Sequence, residues 1–364
     1  MTAAPPNIHA SRCVRFRYRY SDCDRCQAAC PHQAVTLSDE GVAIDASRCR
    51  HCALCATACP TDTLMAPNLR RVDLLKGGIG RERYAIACTP SGLAGDATVP
   101  CLGALDGAML AYLAKRGIRV ELRGASYCDD CEHGQPGAAH LAAHLDERAT
   151  LERACGGESW AETAASELAP AASTREHRAE RRQLFRRFLG RGVNEVFVAP
   201  PPVDMPVVDK GIRPGSWHVP EMRELLKIVC RRTEDAACLI EAPGTLPLAD
   251  IRLAPGCTRC EACTRACPTG ALQSRETESD WMLLFQSDRC VGCDLCLEIC
   301  QPRVLRRTEP VDATPERLPL ALHTLAKQRC KVCDRFFVSP QPEDVCSICR
   351  DDDDAFGQIY SQGG

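Results

Sequence analysis

The run Cys257-Thr258-Arg259-Cys260-Glu261-Ala262-Cys263-Thr264-Arg265-Ala266-Cys267-Pro268 decides how this chain is read. Three cysteines are separated by two residues each, and a fourth follows after three more, directly before proline. Cys290, Cys293, Cys296 and Cys300 repeat the spacing. The amino-terminal part carries a less regular pair: Cys23, Cys26 and Cys30-Pro31, then Cys49, Cys52, Cys55 and Cys59-Pro60. A cubic iron–sulfur cluster needs thiolates from several directions, and a closely spaced triad on a tight loop supplies three of them. The fourth cysteine, expected at a helix start, points away and ligates the neighbouring cluster. Proline keeps the residue before it out of helical geometry. Small residues between the cysteines (Ala28, Ala29, Ala53, Ala56, Ala58, Ala262, Ala266) let backbone N–H groups approach the cluster sulfurs.

Disulfides and zinc are the competing explanations of dense cysteine. Residues 1–12 contain no apolar stretch of the export-signal kind, and no apolar run is long enough to span a bilayer. The expectation is a cytoplasmic chain whose thiols stay reduced and bind metal. Zinc sites use two CxxC pairs set apart, not a triple repeat closed by Cys-Pro.

These motifs resemble the bacterial-type dicluster ferredoxins, over roughly residues 10–70 and 250–312. The resemblance implies one [4Fe–4S] cluster on Cys257, Cys260, Cys263 and Cys300, and its neighbour on Cys290, Cys293, Cys296 and Cys267. In the amino-terminal module it implies one cluster on Cys49, Cys52, Cys55 and Cys30. The remaining cluster departs from the pattern, because Tyr20 stands where the first cysteine of the triad belongs. Either Cys13 returns through a lengthened loop, Val14 to Asp22, to join Cys23, Cys26 and Cys59, or a three-cysteine [3Fe–4S] centre forms with Cys13 free. A second departure is Cys300-Gln301-Pro302, which is expected to alter the turn without removing a ligand.

The 364 residues suffice for two or three domains, and a net charge of −3 argues against a nucleic-acid-binding surface. Aromatic residues make up only 5%, which suits small modules in which clusters replace apolar filling. The expected class is α+β: two ferredoxin-like 2[4Fe–4S] modules, 10–70 and 251–312, flanking a small α/β domain, 82–150. A connector, 151–250, and a zinc-ribbon-like knuckle, 326–352, complete the chain. Within the first module, strands at 34–37 and 42–44 flank Asp39-Glu40-Gly41 as a hairpin. The second repeats this layout with Gly270-Ala271-Leu272 and Met282–Phe285.

In 82–150, Tyr84–Ala87 reads as a strand ending at Cys88, Asp106–Arg116 as a helix stopped by Gly117, Ile118–Leu122 as a strand, and Ala138–Leu145 as a helix. This order suggests parallel strands, with Cys88, Cys101, Cys128 and Cys131 at strand ends or in loops. Val99-Pro100-Cys101-Leu102-Gly103-Ala104-Leu105, followed by helix, strand and Cys128-x2-Cys131, resembles the small iron–sulfur delta subunit of methyl-viologen-reducing hydrogenases and heterodisulfide reductases. That resemblance implies a [2Fe–2S] centre on Cys88, Cys101, Cys128 and Cys131 that relays electrons. The alternative is four buried thiols acting as small hydrophobes. His133 reads as a solvated loop residue with the option of ligating.

In the connector, Arg175–Arg191 carries seven arginines with Leu184, Phe185, Phe188 and Leu189 on one helical stripe. It reads either as a helix packed on a neighbouring module or as a contact for an acidic partner or anionic lipid at the membrane periphery. Residues 199–220 hold six prolines and read as an extended linker; Cys230 and Cys238 read as isolated and structural. Cys330-x2-Cys333 and Cys346-x2-Cys349 form a four-thiolate site for zinc or a single iron, ahead of an acidic tail at Asp351–Asp354.

These readings point to an electron-transfer protein, a polyferredoxin-like subunit passing electrons between redox protein partners. The alternative is an assembly or regulatory iron–sulfur protein acting through the zinc knuckle. Gly77-Gly78-Ile79-Gly80 is not a dinucleotide fingerprint, and no P-loop or Ser-His-Asp order supports a separate substrate site.

Overall fold

The structure is a computed structural model that describes residues 4–155, 159–166, 215–232 and 236–351. The centre of the molecule is a parallel four-stranded sheet in the order Ala97–Val99, Arg83–Cys88, Arg119–Arg123, Thr163–Ala165. Tyr84 to Cys88 are buried without interruption, as a parallel strand covered on both faces requires. The helix Gly107–Lys115 begins at Asp106, whose carboxylate accepts the Met109 N–H at 2.8 Å, and chain reversal follows at Gly117 with φ +77°.

This core reaches past 82–150 on both sides. The helix expected at Ala138–Leu145 runs Gly134–Cys155, and Thr163–Ala165 adds the outer strand. Described residues of the expected connector are packed, not draped. The helix Glu221–Cys230 buries Met222, Leu225, Leu226 and Val229, an i, i+3, i+4, i+7 stripe, in the same core as Tyr84 and Leu113. Each such side chain contributes about 1.5–3 kcal/mol on burial. Lys115 anchors the helix end by donating to the Val229 and Arg231 carbonyls at 2.7 and 2.6 Å. The Arg175–Arg191 segment and most of the proline-rich stretch, 199–214, lie outside the described residues.

Each cysteine module repeats one plan. The pair Asn7–Ile8 and Leu64–Met65 brackets the first, and Asp250–Leu253 with Leu305–Thr308 brackets the second. Inside are the hairpins Val35–Ser38 with Gly41–Ile44, and Leu272–Glu276 with Asp280–Phe285. Short helices carry the third cysteine of each regular triad: Leu54–Thr57, Ala262–Ala266 and Leu295–Ile299 hold Cys55, Cys263 and Cys296. The fourth cysteine stands at the end of a helix and not at its start. Cys267 and Cys300 are the residues directly after two of these helices.

The knuckle is not a free appendage. Its strand Leu320–Arg329 pairs with Asp280–Phe285, and Phe336–Ser339 pairs with it in turn, extending the second hairpin to a four-stranded antiparallel sheet. Among the described residues no helix is long and apolar enough to cross a membrane.

Candidate iron–sulfur centres

Three cavities coincide with three of the expected ligand sets. One is lined by Cys30, Cys49, Cys52 and Cys55. A second is lined by Cys267, Cys290, Cys293 and Cys296. The third is lined by Cys257, Cys260, Cys263 and Cys300. In each, the last cysteine of one motif joins the triad of the other. The remaining lining is largely apolar, with Val35 and Ile44 in the first, Leu272 and Phe285 in the second, Trp281 and Leu283 in the third.

Backbone conformation explains how the triads wrap these cavities. The third and fifth residues of each motif are left-handed: His51 and Ala53, Arg259 and Glu261, Gly292 and Asp294. A non-glycine residue held there costs about 1–2 kcal/mol, and such strain persists only where surroundings impose it. Left-handed residues alternating with right-handed ones turn successive N–H groups to one side, which suits an anionic sulfur cage. A second repeat follows each fourth cysteine, three residues on: Gln33, Asp62, Gly270 and Arg303 all have positive φ. Arg303 keeps this turn although Cys300 lacks the adjacent proline, so the expected alteration does not occur. At Gly270 the turn also needs space, since a Cβ would lie 2.5 Å from the Trp217 ring.

The irregular fourth set also assembles. The Cys26 thiol is pushed up to about 12, first by burial and then by Cys59, Cys23 and Cys13. Cys23 is raised by burial and by Cys59 and Cys13. The chain from Val14 returns through the short helix Val14–Arg17 and leaves Cys13 buried against this group. The same mutual pressure marks a regular set: burial and then Cys257, Cys260 and Cys300 raise Cys263 to about 12. Thiols that hold one another neutral give up their protons readily only to a bound cation, the requirement of a thiolate metal site.

The central cysteines converge at the carboxyl ends of the parallel strands. Burial and then Cys52, Cys128 and Cys131 act on Cys101, pushed up to about 12, while burial and then Cys88 and Cys131 push Cys128 up to about 11. Glycines leave room for this set: a Cβ at Gly124 would lie 2.9 Å from Cys88 Sγ, and one at Gly137 would lie 3.2 Å from Cys101 Sγ. The four residues fit a cluster. His133 is not solvated; it is 3% exposed, and its Nδ1 lies 3.1 Å from His32 Nε2, with Cys52 Sγ close to both. His32 and His133 each stand two residues after a cysteine, Cys30 and Cys131, and that offset is the signal that could have placed them at the sites.

Neither Cys230 nor Cys238 is isolated. With Cys155 they form a buried trio whose sulfurs all lie within 4.8 Å, Cys155 and Cys238 being disulfide-bonded. At the knuckle, Cys330, Cys333, Cys346 and Cys349 also gather within 4.8 Å. Cys333 and Cys346 are 3.8 Å apart, the edge of a tetrahedron with metal–sulfur bonds of about 2.3 Å. The Cys346 N–H donates to Cys330 Sγ at 3.3 Å, and with Cys333 it holds that thiol down to about 6.

Residues 21–63 and 256–304 match the family described as 4Fe–4S dicluster domain. Ferredoxin-type 4Fe–4S domains thus stand at two places in the chain. It is 34% identical over 79 residues to the polyferredoxin protein MvhB of Methanothermobacter marburgensis, a match covering 18% of this chain and 19% of that protein. The chain thus spans about a fifth of the length of the curated relative it matches.

The sets are neighbours in a row. Cys52 and Cys101 share one buried cluster, joining the central site to the first module. Cys26 packs on the buried cluster that holds Cys55. Cys23 and Cys293 pack on Val14, Ala266 and Leu295, joining the two modules. Within the second module Cys263 acts on Cys296, joining its two sets.

Proposed function

We propose that the chain relays single electrons along a row of five centres, as a polyferredoxin-like subunit of a cytoplasmic oxidoreductase system. Four are [4Fe–4S] clusters: on Cys30, Cys49, Cys52 and Cys55; on Cys13, Cys23, Cys26 and Cys59; on Cys267, Cys290, Cys293 and Cys296; and on Cys257, Cys260, Cys263 and Cys300. The fifth, a [2Fe–2S] centre on Cys88, Cys101, Cys128 and Cys131, stands at the opposite end of the row from the Cys257 set. The observation that carries this reading is the match of three cavities to three crossed cysteine sets.

When bound, each cluster takes up or gives up one electron. The protein's part is to fix the thiolates in strained loops before iron arrives, to exclude water with apolar walls, and to keep neighbouring sets close. Cys260 is exposed, so one end of the row opens to the surface. A redox protein partner docks there, and a second exchanges electrons at the central α/β domain. Zinc at the knuckle braces the sheet beside the Cys257 set.

Protein purified without oxygen should contain about sixteen iron and sixteen acid-labile sulfide from four cubes, and about two more of each from the central site. Iron near eight per chain would remove the two-module reading.

A further inference from the structure

One buried cation is unexplained by the protein alone. Arg223, on the helix Glu221–Cys230, is 2% exposed, yet among the described residues only one of its nitrogens has a partner. Nη2 donates to the Ser287 carbonyl at 2.8 Å, while Nε and Nη1 are buried without a hydrogen bond. No carboxylate lies within ion-pair distance among the described residues. A buried guanidinium left in this way is strongly unfavourable unless a negative charge faces it. The acidic groups that act on it are Cys230 and Cys290, then Asp288 and Glu224, and both thiols are themselves pushed up to about 11 by burial. Ser287 leads directly into Cys290, the first cysteine of a proposed ligand set.

That set is also ringed by arginine from outside. Arg17 donates to the Ala266 and Cys267 carbonyls at 3.3 and 3.4 Å. Arg25 and Arg307 both donate to the Gly292 carbonyl, at 2.9 and 2.7 Å. Asp294 offsets part of this charge through Arg307, and Asp288 lies 3.5 Å from Lys227. Arginine is among the electrostatic influences on Cys290 and Cys293, as it is on Cys13 and Cys23, whereas on Cys52, Cys55 and Cys263 only other cysteines act.

We infer that Arg223 is the internal counter-ion of the cluster on Cys267, Cys290, Cys293 and Cys296, and that it makes this cluster the first of the four to be reduced. The inference rests on the proposed cluster assignment. Reduction adds one negative charge to the cluster, and a fixed positive charge in a dry site favours that state. The unpaired Nε–H and Nη1–H donors lie in a fixed planar fork, a direction that a lone ammonium does not reproduce. Arg223 is thus a positioning residue for electrons in the middle of the row, where the junction of the two modules lies.

The test is a redox titration of the whole chain followed by electron paramagnetic resonance, with iron counted in every sample. The signal of this cluster is assigned by its loss in Cys267→Ala. In the parent, that signal should develop first. Arg223→Met should lower its potential and move it behind at least one other cluster, with the other signals unmoved. Arg223→Lys should hold an intermediate place. Asp288→Asn removes the neighbouring negative charge and should shift the same signal to higher potential, which keeps the inference testable if Arg223→Met fails to fold. Unmoved potentials in Arg223→Lys and Asp288→Asn, with parental iron content, would overturn it. A parent in which another cluster is reduced first would overturn the ranking. A parent without four clusters would instead remove the assignment on which the inference rests.

Discussion

Cys13 shows how one displaced thiol is recovered. The regular position of the triad holds Tyr20, which is exposed and points to solvent. In the proposed cluster Cys13 takes its place: the residues after it coil into the short helix Val14–Arg17, and Arg15 ties that helix to the Cys23 carbonyl at 2.8 Å. Cys13→Ala should leave a cube with three protein thiolates, whose unsupported iron is lost on mild oxidation. A [3Fe–4S] signal should then appear after brief air exposure, well above that of the parent. Unchanged iron content, signal and oxygen sensitivity would show that Cys13 is not a ligand. At this scale the cysteine spacing made most of the candidate sites readable, because ligand spacing is local. The position of His133 two residues after Cys131 marks it as near a site, but its burial against His32 is not local information. Arg223 is not readable, because an arginine in a polar stretch carries no sign of what covers it. The left-handed residues His51, Ala53, Arg259 and Glu261 were equally hidden, since conformation there is imposed by the cavity against residue preference.

Elements are held to one another by a few buried ion pairs. Arg71 donates to Asp106 at 2.7 Å and lies 3.8 Å from Asp62, while Asp62 also faces His218 and accepts the Glu221 N–H at 3.1 Å. One arginine thus joins the first module, the central helix Gly107–Lys115 and the helix Glu221–Cys230. Burial raises the Asp62 carboxyl, but His218, Arg71 and the Glu221 N–H together bring it below its ordinary value. Its contribution is therefore present above the ordinary carboxylate range and is lost as pH falls through the depressed folded value. Arg71→Met should cost about 3–5 kcal/mol in denaturant unfolding, because two buried carboxylates lose their partner. A loss below about 1 kcal/mol would mean the pairs act like surface pairs.

The helix Glu221–Cys230 is legible in its apolar spacing, but that spacing does not say which core its stripe joins. The strand Leu320–Arg329 went unread for a related reason, because nothing local says which sheet it will extend. That strand changes the expectation for the knuckle. Chelation should remove about one zinc per chain and loosen Phe336–Ser339. Leu320–Arg329 should stay protected in hydrogen exchange by Asp280–Phe285, and the cluster absorbance should remain. A red iron–thiolate band at this site, in place of zinc, would contradict the metal assignment.

Across the whole molecule, the row of centres depends on one junction between modules that are distant in sequence. Arg17 spans it with a single side chain, donating to Ser11, to Ala266 and Cys267, and to Ser216. Arg25 reaches the Gly292 carbonyl beside it. Behind these contacts Val14, Ala266 and Leu295 form a small dry patch on which Cys23 and Cys293 pack. Three residues bury little apolar area, so the two arginines carry much of the orientation between the modules. The double variant Arg17→Met, Arg25→Met should keep all sixteen cysteine ligands and hence an iron content near that of the parent. It should weaken the magnetic interaction between the cluster on Cys13, Cys23, Cys26 and Cys59 and the one on Cys267, Cys290, Cys293 and Cys296. Interactions within each module should persist, because Cys26 with Cys55 and Cys263 with Cys296 are held by their own loops. The measurement is made in the fully reduced protein, so that a shift in either potential does not enter. An unchanged interaction across the junction would mean that the apolar patch alone fixes the modules, and the arginines would then act only through their charge.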